Sequence, residues 1–185
     1  MNNPSAEIVN SIRKVFPAGC RVKLLQMNDP WREMPEGLCG TVIHVDDMGT
    51  VHVNWENGSS LGVVYGVDRI QRVYPNTRVN YDYRDASNYK CTNSIVVHGE
   101  ISEDQVKTIL DCCDGENFIP EQIGWDLLRG WDITEDDHCY AELDSNSFEP
   151  TDDDATSDMT VDEMVQAFRS CKQKWNPGKY APEVY

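Results

Sequence analysis

Side chains able to do chemistry are sparse in this sequence, and the two groupings that stand out are both candidate ion sites. His138-Cys139, taken with Cys112-Cys113, offers nitrogen and sulfur donors of the kind zinc selects. Neighbouring cysteines diverge on a helix, however, and chelate less well than a CxxC pair. Cys113 also falls on the apolar face of a predicted helix, where a thiol packs as a small hydrophobe. Asp152, Asp154, Asp158 and Glu163 follow a calcium-loop spacing, but Ser157 stands where the loop needs glycine for its sharp turn. Glu163 is better explained as a helix cap with Thr160. Structural thiols and a solvated acidic loop are therefore expected, with no metal and no cofactor. His44 and His52 lie opposite the better apolar faces of their strands and read as surface residues. HExxH, GxxxxGK[ST] and GxGxxG are all missing, so the chain is expected not to be an enzyme. A metal held by acidic residues is the enzymatic alternative.

Charge is the more informative property. The 185 residues carry a net charge of −16, which disfavours direct binding of DNA or of an anionic membrane and favours basic partners, or solubility alone. It is unevenly spread. Residues 1–74 hold 7 basic and 8 acidic residues, whereas residues 100–163 hold 21 acidic residues against Lys107 and Arg129, a net of −19. Asp132, Glu135, Asp136, Asp137, Asp152, Asp153, Asp154 and Asp158 form two clusters interleaved with Trp125, Trp131, Tyr140 and Phe148, and these eight are the candidate partner-binding residues. Two readings stay open. The clusters imitate phosphate spacing for a basic nucleic-acid channel, or they only solubilise.

The elements that must position these residues fall into an α+β fold with a seam at Pro75-Asn76. Residues 1–16 are expected to be a helix capped by Asn3, with Ile8, Val9, Ile12, Val15 and Phe16 at helical spacing. Residues 17–74 read as about five short strands: Arg21–Leu25, Gly40–Val45, Thr50–Trp55, Ser60–Tyr65 and Asp68–Val73. Asn57-Gly58 predicts a tight hairpin with positive φ at both residues. That economy predicts a small SH3-like β-barrel. Trp31, Trp55, Tyr65 and Tyr74 are too few rings for an aromatic cage, so protein docking or a purely structural role is expected of it. Residues 75–185 are expected to form a small acidic α+β domain with a C-terminal helix and tail. Ser94–His98 and Cys139–Leu143 read as strands, and Ser102 with Gln105 and Thr160 with Glu163 read as capping boxes opening two helices. The N-terminus shows no basic region followed by an apolar stretch, and the seven cysteines are scattered. Reduced thiols and a cytoplasmic setting are expected.

The stretches Pro17-Ala18-Gly19-Cys20-Arg21-Val22, Gly40-Thr41-Val42 and Val45 through Gly62 resemble a small uncharacterised domain common in phages and conjugative elements of gut Firmicutes. Tyr83 through Lys90, Phe118-Ile119-Pro120 and Glu135-Asp136-Asp137-His138 resemble accessory proteins of the same elements. The resemblance carries no catalytic residue. It implies a mobile-element context in a bacterial host. In organisation the chain is similar to inhibitors of host defence, including anti-CRISPR proteins that block type II effector nucleases. The expectation is an inhibitor whose acidic half fills the nucleic-acid channel of a partner with a basic surface, such as a CRISPR effector nuclease with its guide RNA. The alternative is a non-enzymatic accessory or regulatory protein-interaction module of the element.

Overall fold

A computed structural model describes residues 4–129 and 133–182. The chain divides into two units, Met1–Tyr74 and Pro75–Tyr185; both are mixed α and β, with antiparallel sheets and few helices. No helix among the described residues is long and apolar enough to cross a membrane.

The first unit opens with α1 (Ala6–Val15). Its cap is Ser5, whose hydroxyl accepts the Ile8 N–H at 3.4 Å, in place of the expected Asn3, which lies outside the described residues. Glu7 in the first turn and Arg13 and Lys14 in the last suit the helix dipole. Val9 is buried, and Ile12 and Phe16 pack on the core of a four-stranded antiparallel sheet. The strands are β1 (Arg21–Gln26), β2 (Cys39–Val45), β3 (Val51–Trp55) and β4 (Arg69–Val73), in the order β3-β2-β1-β4. Alternation puts Val22 and Leu24 of β1, and Val51, Val53 and Trp55 of β3, into that core.

Two expectations change here. At Asn57-Gly58 only Gly58 takes positive φ (+82°), because the turn is three residues long. Gly58 donates its N–H to Trp55 O at 2.9 Å, and the Trp55 N–H donates to Ser59 O at 3.0 Å. One left-handed glycine then does what a two-residue turn would ask of both positions. The expected strand Ser60–Tyr65 shrinks to a single bridge, Val51 to Val63, because the Trp55 indole N–H donates to Leu61 O at 2.8 Å and holds that segment to the side chain rather than to the ladder. No ladder among the described residues joins β3 to β4, so the sheet is open and not a closed barrel.

The second unit is organised around a nine-residue hairpin, β5 (Asn76–Arg84) and β6 (Lys90–His98), in unbroken register from Asn76↔His98 to Arg84↔Lys90. The full sheet runs β6-β5-β8-β7, with β7 (Asn117–Phe118), β8 (Ala141–Glu142) and β9 (Phe148–Thr151), the last pairing with β5. Val79, Tyr81 and Tyr83 of β5 point into a core closed by α2 (Glu103–Leu110) and α3 (Val161–Cys171). Both helices start in complete capping boxes, Ser102 with Gln105 and Thr160 with Glu163. Tyr81, Phe118, Trp125, Phe168 and Trp175 meet ring to ring at 5.3–6.3 Å between centroids, the spacing at which aromatic pairs attract beyond their area burial. A short α4 (Pro177–Tyr180) follows.

Gly40 is the tightest packing constraint in the first unit. It lies opposite Trp55, and a Cβ there would sit 2.5 Å from Val53 Cγ1 and 2.9 Å from Trp55 Cε3. Neither neighbour can yield, since both are fully buried. Gly40→Ala is expected to lower stability by about 1–3 kcal/mol through overpacking, read as a lower urea midpoint by circular dichroism.

Candidate functional site

The two acidic clusters sit at opposite ends of β5 and serve structural roles there. Asp153 ion-pairs with Arg78, and its backbone oxygen accepts from Asn76 Nδ2 at 2.7 Å. Arg78 alternates with the buried Val79, so this contact lies on the face of the sheet away from the helices. From there the chain reaches Thr156, whose hydroxyl accepts the Val96 N–H at 2.9 Å and whose N–H donates to Val96 O at 3.0 Å. Residues 152–156 thus cross the outer face of the sheet from β9 to β6 as a strap. The acidic loop is solvated at Asp152, Asp153, Asp154 and Asp158, which are all exposed, but it is not loose: one end is the strand β9, and the rest is tied down at Asn76, Arg78 and Val96.

The other cluster closes around Tyr83, which is fully buried. Its hydroxyl donates to Asp137 Oδ1 at 2.5 Å and accepts the His138 N–H at 3.3 Å. Asp137 Oδ2 accepts the Thr134 N–H at 2.8 Å, and Asp136 O accepts the Ala86 N–H at 3.1 Å. Burial works to raise the Asp137 carboxyl, but hydrogen bonds from Tyr83 and Thr134, with the nearby Arg129 charge, outweigh it and hold the group below the usual carboxylate range. Burial, and then the bond to Asp137, push the Tyr83 hydroxyl up to about 12. Arg129, one of the two cations within residues 100–163, faces inward. Its Nε donates to His138 O at 3.1 Å and its Nη2 pairs with Glu121 at 3.1 Å, leaving the side chain 13% exposed.

Of the eight candidate residues, Asp137 and Asp153 therefore hold the fold. Asp152 is also engaged, and Asp132 lies outside the described residues. Glu135, Asp136, Asp154 and Asp158 are exposed. The anchor points Arg78 and Tyr83 are five positions apart on one strand, or about 17 Å, and their side chains leave opposite faces. The structure brings the clusters onto one strand but not into one continuous strip.

The ion-site readings look different once placed. His138 Nε2 meets Arg84 O at 2.8 Å and Nδ1 meets the Tyr140 N–H at 3.2 Å, so both ring nitrogens are occupied by backbone. Those partners require the neutral tautomer with hydrogen on Nε2. Cys112 and Cys139 are buried, and burial pushes the Cys113 thiol up to about 12, which makes it a poor nucleophile and ligand. Glu163 spends its carboxylate on the Thr160 N–H and hydroxyl, both at 2.8 Å. Among the described residues no group of three His, Cys, Asp or Glu is placed to hold a metal ion.

Sequence reasoning missed Asp46, and it weighed Trp31 only as one of too few rings for an aromatic cage. Asp46 accepts from the Met48 and Thr50 N–H groups at 2.9 Å each and meets His52 Nε2 at 3.1 Å, while His52 stacks on His44 at 4.3 Å. Burial opposes ionisation of Asp46, but these bonds overcome it and lower its pKa. Trp31 is 89% exposed at the tip of the β1–β2 loop. The tip is built rather than loose: Asp29 Oδ1 accepts the Trp31 and Arg32 N–H groups at 2.8 and 2.7 Å, and Met34 buries behind it. The Asp29-Pro30-Trp31 turn signal was there to be read.

The Tyr83–Asp137 bond fixes a pH signature. The tyrosine pKa is raised, so its contribution is full below about pH 10 and lost as pH rises toward the folded value. The aspartate pKa is lowered, so its contribution is full above about pH 4 and lost as pH falls through the folded value. Tyr83→Phe is expected to cost about 1–2 kcal/mol at neutral pH. The gap from wild type should close on acidification, as urea midpoints measured from pH 7 to pH 3 would show; a constant gap would assign the loss to packing.

Comparison with curated proteins and with solved structures gave no match. A domain of unknown function, DUF4314, is found over residues 5–73, which takes in α1 and all four strands of the first unit.

Proposed function

We propose that the chain is a non-enzymatic binding protein whose acidic second unit docks on a basic protein surface. In the mobile-element setting that the sequence resembles, that partner is a host defence nuclease, an anti-CRISPR target, in the bacterial cytoplasm. The acidic surface occupies the channel that otherwise takes guide RNA or DNA. One observation carries this reading: residues 100–163 carry a net −19, while among the described residues the ion pairs on that segment include Arg78 with Asp153 and the inward-turned Arg129 with Glu121. A field of that sign steers a basic partner and competes with phosphate, and it weakens as salt rises. Glu135, Asp136, Asp154 and Asp158 are the carboxylates best placed to contribute, since they are exposed and their side chains brace no other described residue.

The test is cleavage of a plasmid by a guide-loaded type II effector nuclease with the full chain added before the DNA. Combined Glu135→Gln, Asp136→Asn, Asp154→Asn and Asp158→Asn is expected to weaken inhibition at least about tenfold, and wild-type inhibition should itself fall between 50 and 200 mM salt. Undiminished inhibition by this variant would sink the charge reading.

A second reading is favoured by Trp31. We read the first unit as an open relative of the SH3-like barrel, supported by its strand order extended through the Val63 bridge, and as a docking module of the element. An indole already presented on a braced loop needs little further ordering to meet a partner, and tryptophan is enriched at binding hot spots. Trp31→Ala should leave the unfolding midpoint unchanged yet abolish capture of the partner from a Firmicute lysate. Retained capture would remove this reading and leave the acidic surface as the contact.

A further inference from the structure

An apolar groove of about 510 Å³ lies between α2 and β9 in the second unit. One wall is Ile101, Val106 and Leu110; the other is Phe148 and Pro150. Ile101, Leu110 and Phe148 rest on the core from within and stay half-exposed toward the groove. Glu103, Lys107 and Asp111 run along its rim at four-residue intervals, one ridge of α2 continued to its C-cap.

The walls are fixed in place. The buried Thr77 hydroxyl donates to Gly99 O at 2.7 Å and accepts the Ile101 N–H at 2.9 Å, anchoring the corner that launches α2. Gln105 Nε2 donates to Asp162 Oδ1 at 2.9 Å, tying α2 to α3. β9 is fixed by its pairing with β5 from Phe148↔Val79 to Thr151↔Asn76. A preformed apolar groove of this size is within the range that binds ligands without paying to assemble itself.

The occupant follows from elimination and charge. Strand addition is blunted, because β9 is four residues long and Pro150 supplies no N–H. A second copy brings −16 against −16, and an anionic membrane is repelled for the same reason. We propose that the groove seats a short amphipathic helix of a basic partner protein. Two or three apolar residues at helical spacing enter between α2 and β9. A lysine or arginine at each end meets Glu103 and Asp111, and none lies midway, opposite Lys107. The inference deepens the partner-binding reading of the acidic unit: the charges attract, and this groove selects.

The test uses the full chain with 13C-labelled Ile, Leu and Val methyls. The probe is a synthetic 14-residue helix with leucines on one stripe, lysines toward both ends and glutamine between, set against a scrambled peptide of the same composition. Saturable shifts of the Ile101, Val106 and Leu110 methyls are expected, with the scrambled peptide binding at least about tenfold more weakly. Leu110→Glu adds a negative charge and should still reduce binding at least about tenfold. Equal binding of the two peptides, unchanged binding to Leu110→Glu, or shifts confined to other methyls would show that charge alone is at work and would overturn the groove. If Leu110→Glu fails to fold by circular dichroism, the wild-type methyl map decides. Loss of the groove with salt-sensitive nuclease inhibition intact would leave the proposed function standing.

Discussion

Mutual repulsion among carboxylates is the constraint the second unit has to satisfy, and it does so by making them acceptors for its own backbone and neutral donors. Asp85 takes the Tyr89 N–H and the Ser87 hydroxyl, Asp144 the Asn146 N–H, Asp137 the Thr134 N–H and the Tyr83 hydroxyl, and Glu163 the Thr160 N–H. Those to backbone N–H groups satisfy turn or helix-end donors that have no partner inside an element. A charge-assisted acceptor is stronger than a neutral one. These carboxylates stand in turns and at helix starts, where they contribute to the fold without occupying its core. The same device recurs in the first unit at Asp29, Asp46 and Asp68, which receive backbone N–H groups of Trp31, Thr50 and Val64.

This arrangement leaves the interior free to be apolar and aromatic. β5 is the strand on which it depends, because its inward side chains, Val79, Tyr81 and Tyr83, each link a different part of the unit to the sheet. Tyr81 stacks on Trp125 and donates to Asp126 O at 2.5 Å, while Tyr83 reaches the Asp137 loop. On its outward side Arg78 holds the 152–156 strap. A strand contacted on both faces and paired along both edges explains how a unit carrying so much like charge keeps a single sheet.

How much of this the sequence disclosed varies by element. Helices α2 and α3 were legible to within a turn, since a capping box and a 3.6-residue stripe are local signals that tertiary structure has no reason to override. β1, β2 and β3 were legible for the same reason, through period-two alternation. β5 went unread although Val79, Tyr81 and Tyr83 alternate with Arg78, Asn80 and Asp82. Pro75 reads as a seam, and the charged, tyrosine-rich composition masks that alternation. The extent of Ser60–Tyr65 was not legible at all, because the Trp55 indole bond to Leu61 decides it and that is a contact between side chain and backbone across a turn. Among the site residues, sequence marked the acidic clusters but could not separate Asp137 and Asp153, which brace the fold, from Glu135, Asp136, Asp154 and Asp158, which face solvent. That distinction rests on Tyr83 and Arg78, 54 and 75 positions away.

Separating braced from free carboxylates changes what the acidic surface can contribute. Exposed charges act over a Debye length of about 8 Å at physiological salt. They accelerate encounter with any basic surface but discriminate poorly among them. Discrimination requires contacts that are lost when the shape is wrong, and carboxylates on the rim of turns cannot provide them. Within the second unit such contacts are available where half-exposed apolar side chains stand on rigid walls, as Ile101, Leu110 and Phe148 do beside α2. An acidic field around a small apolar recess divides recognition into two ranges: attraction that is broad and salt-sensitive, and seating that is local and salt-tolerant. On the proposed partner-binding reading, a partner satisfying only the first would dissociate quickly, so residence time, more than encounter rate, is the quantity that would separate a target from other basic surfaces.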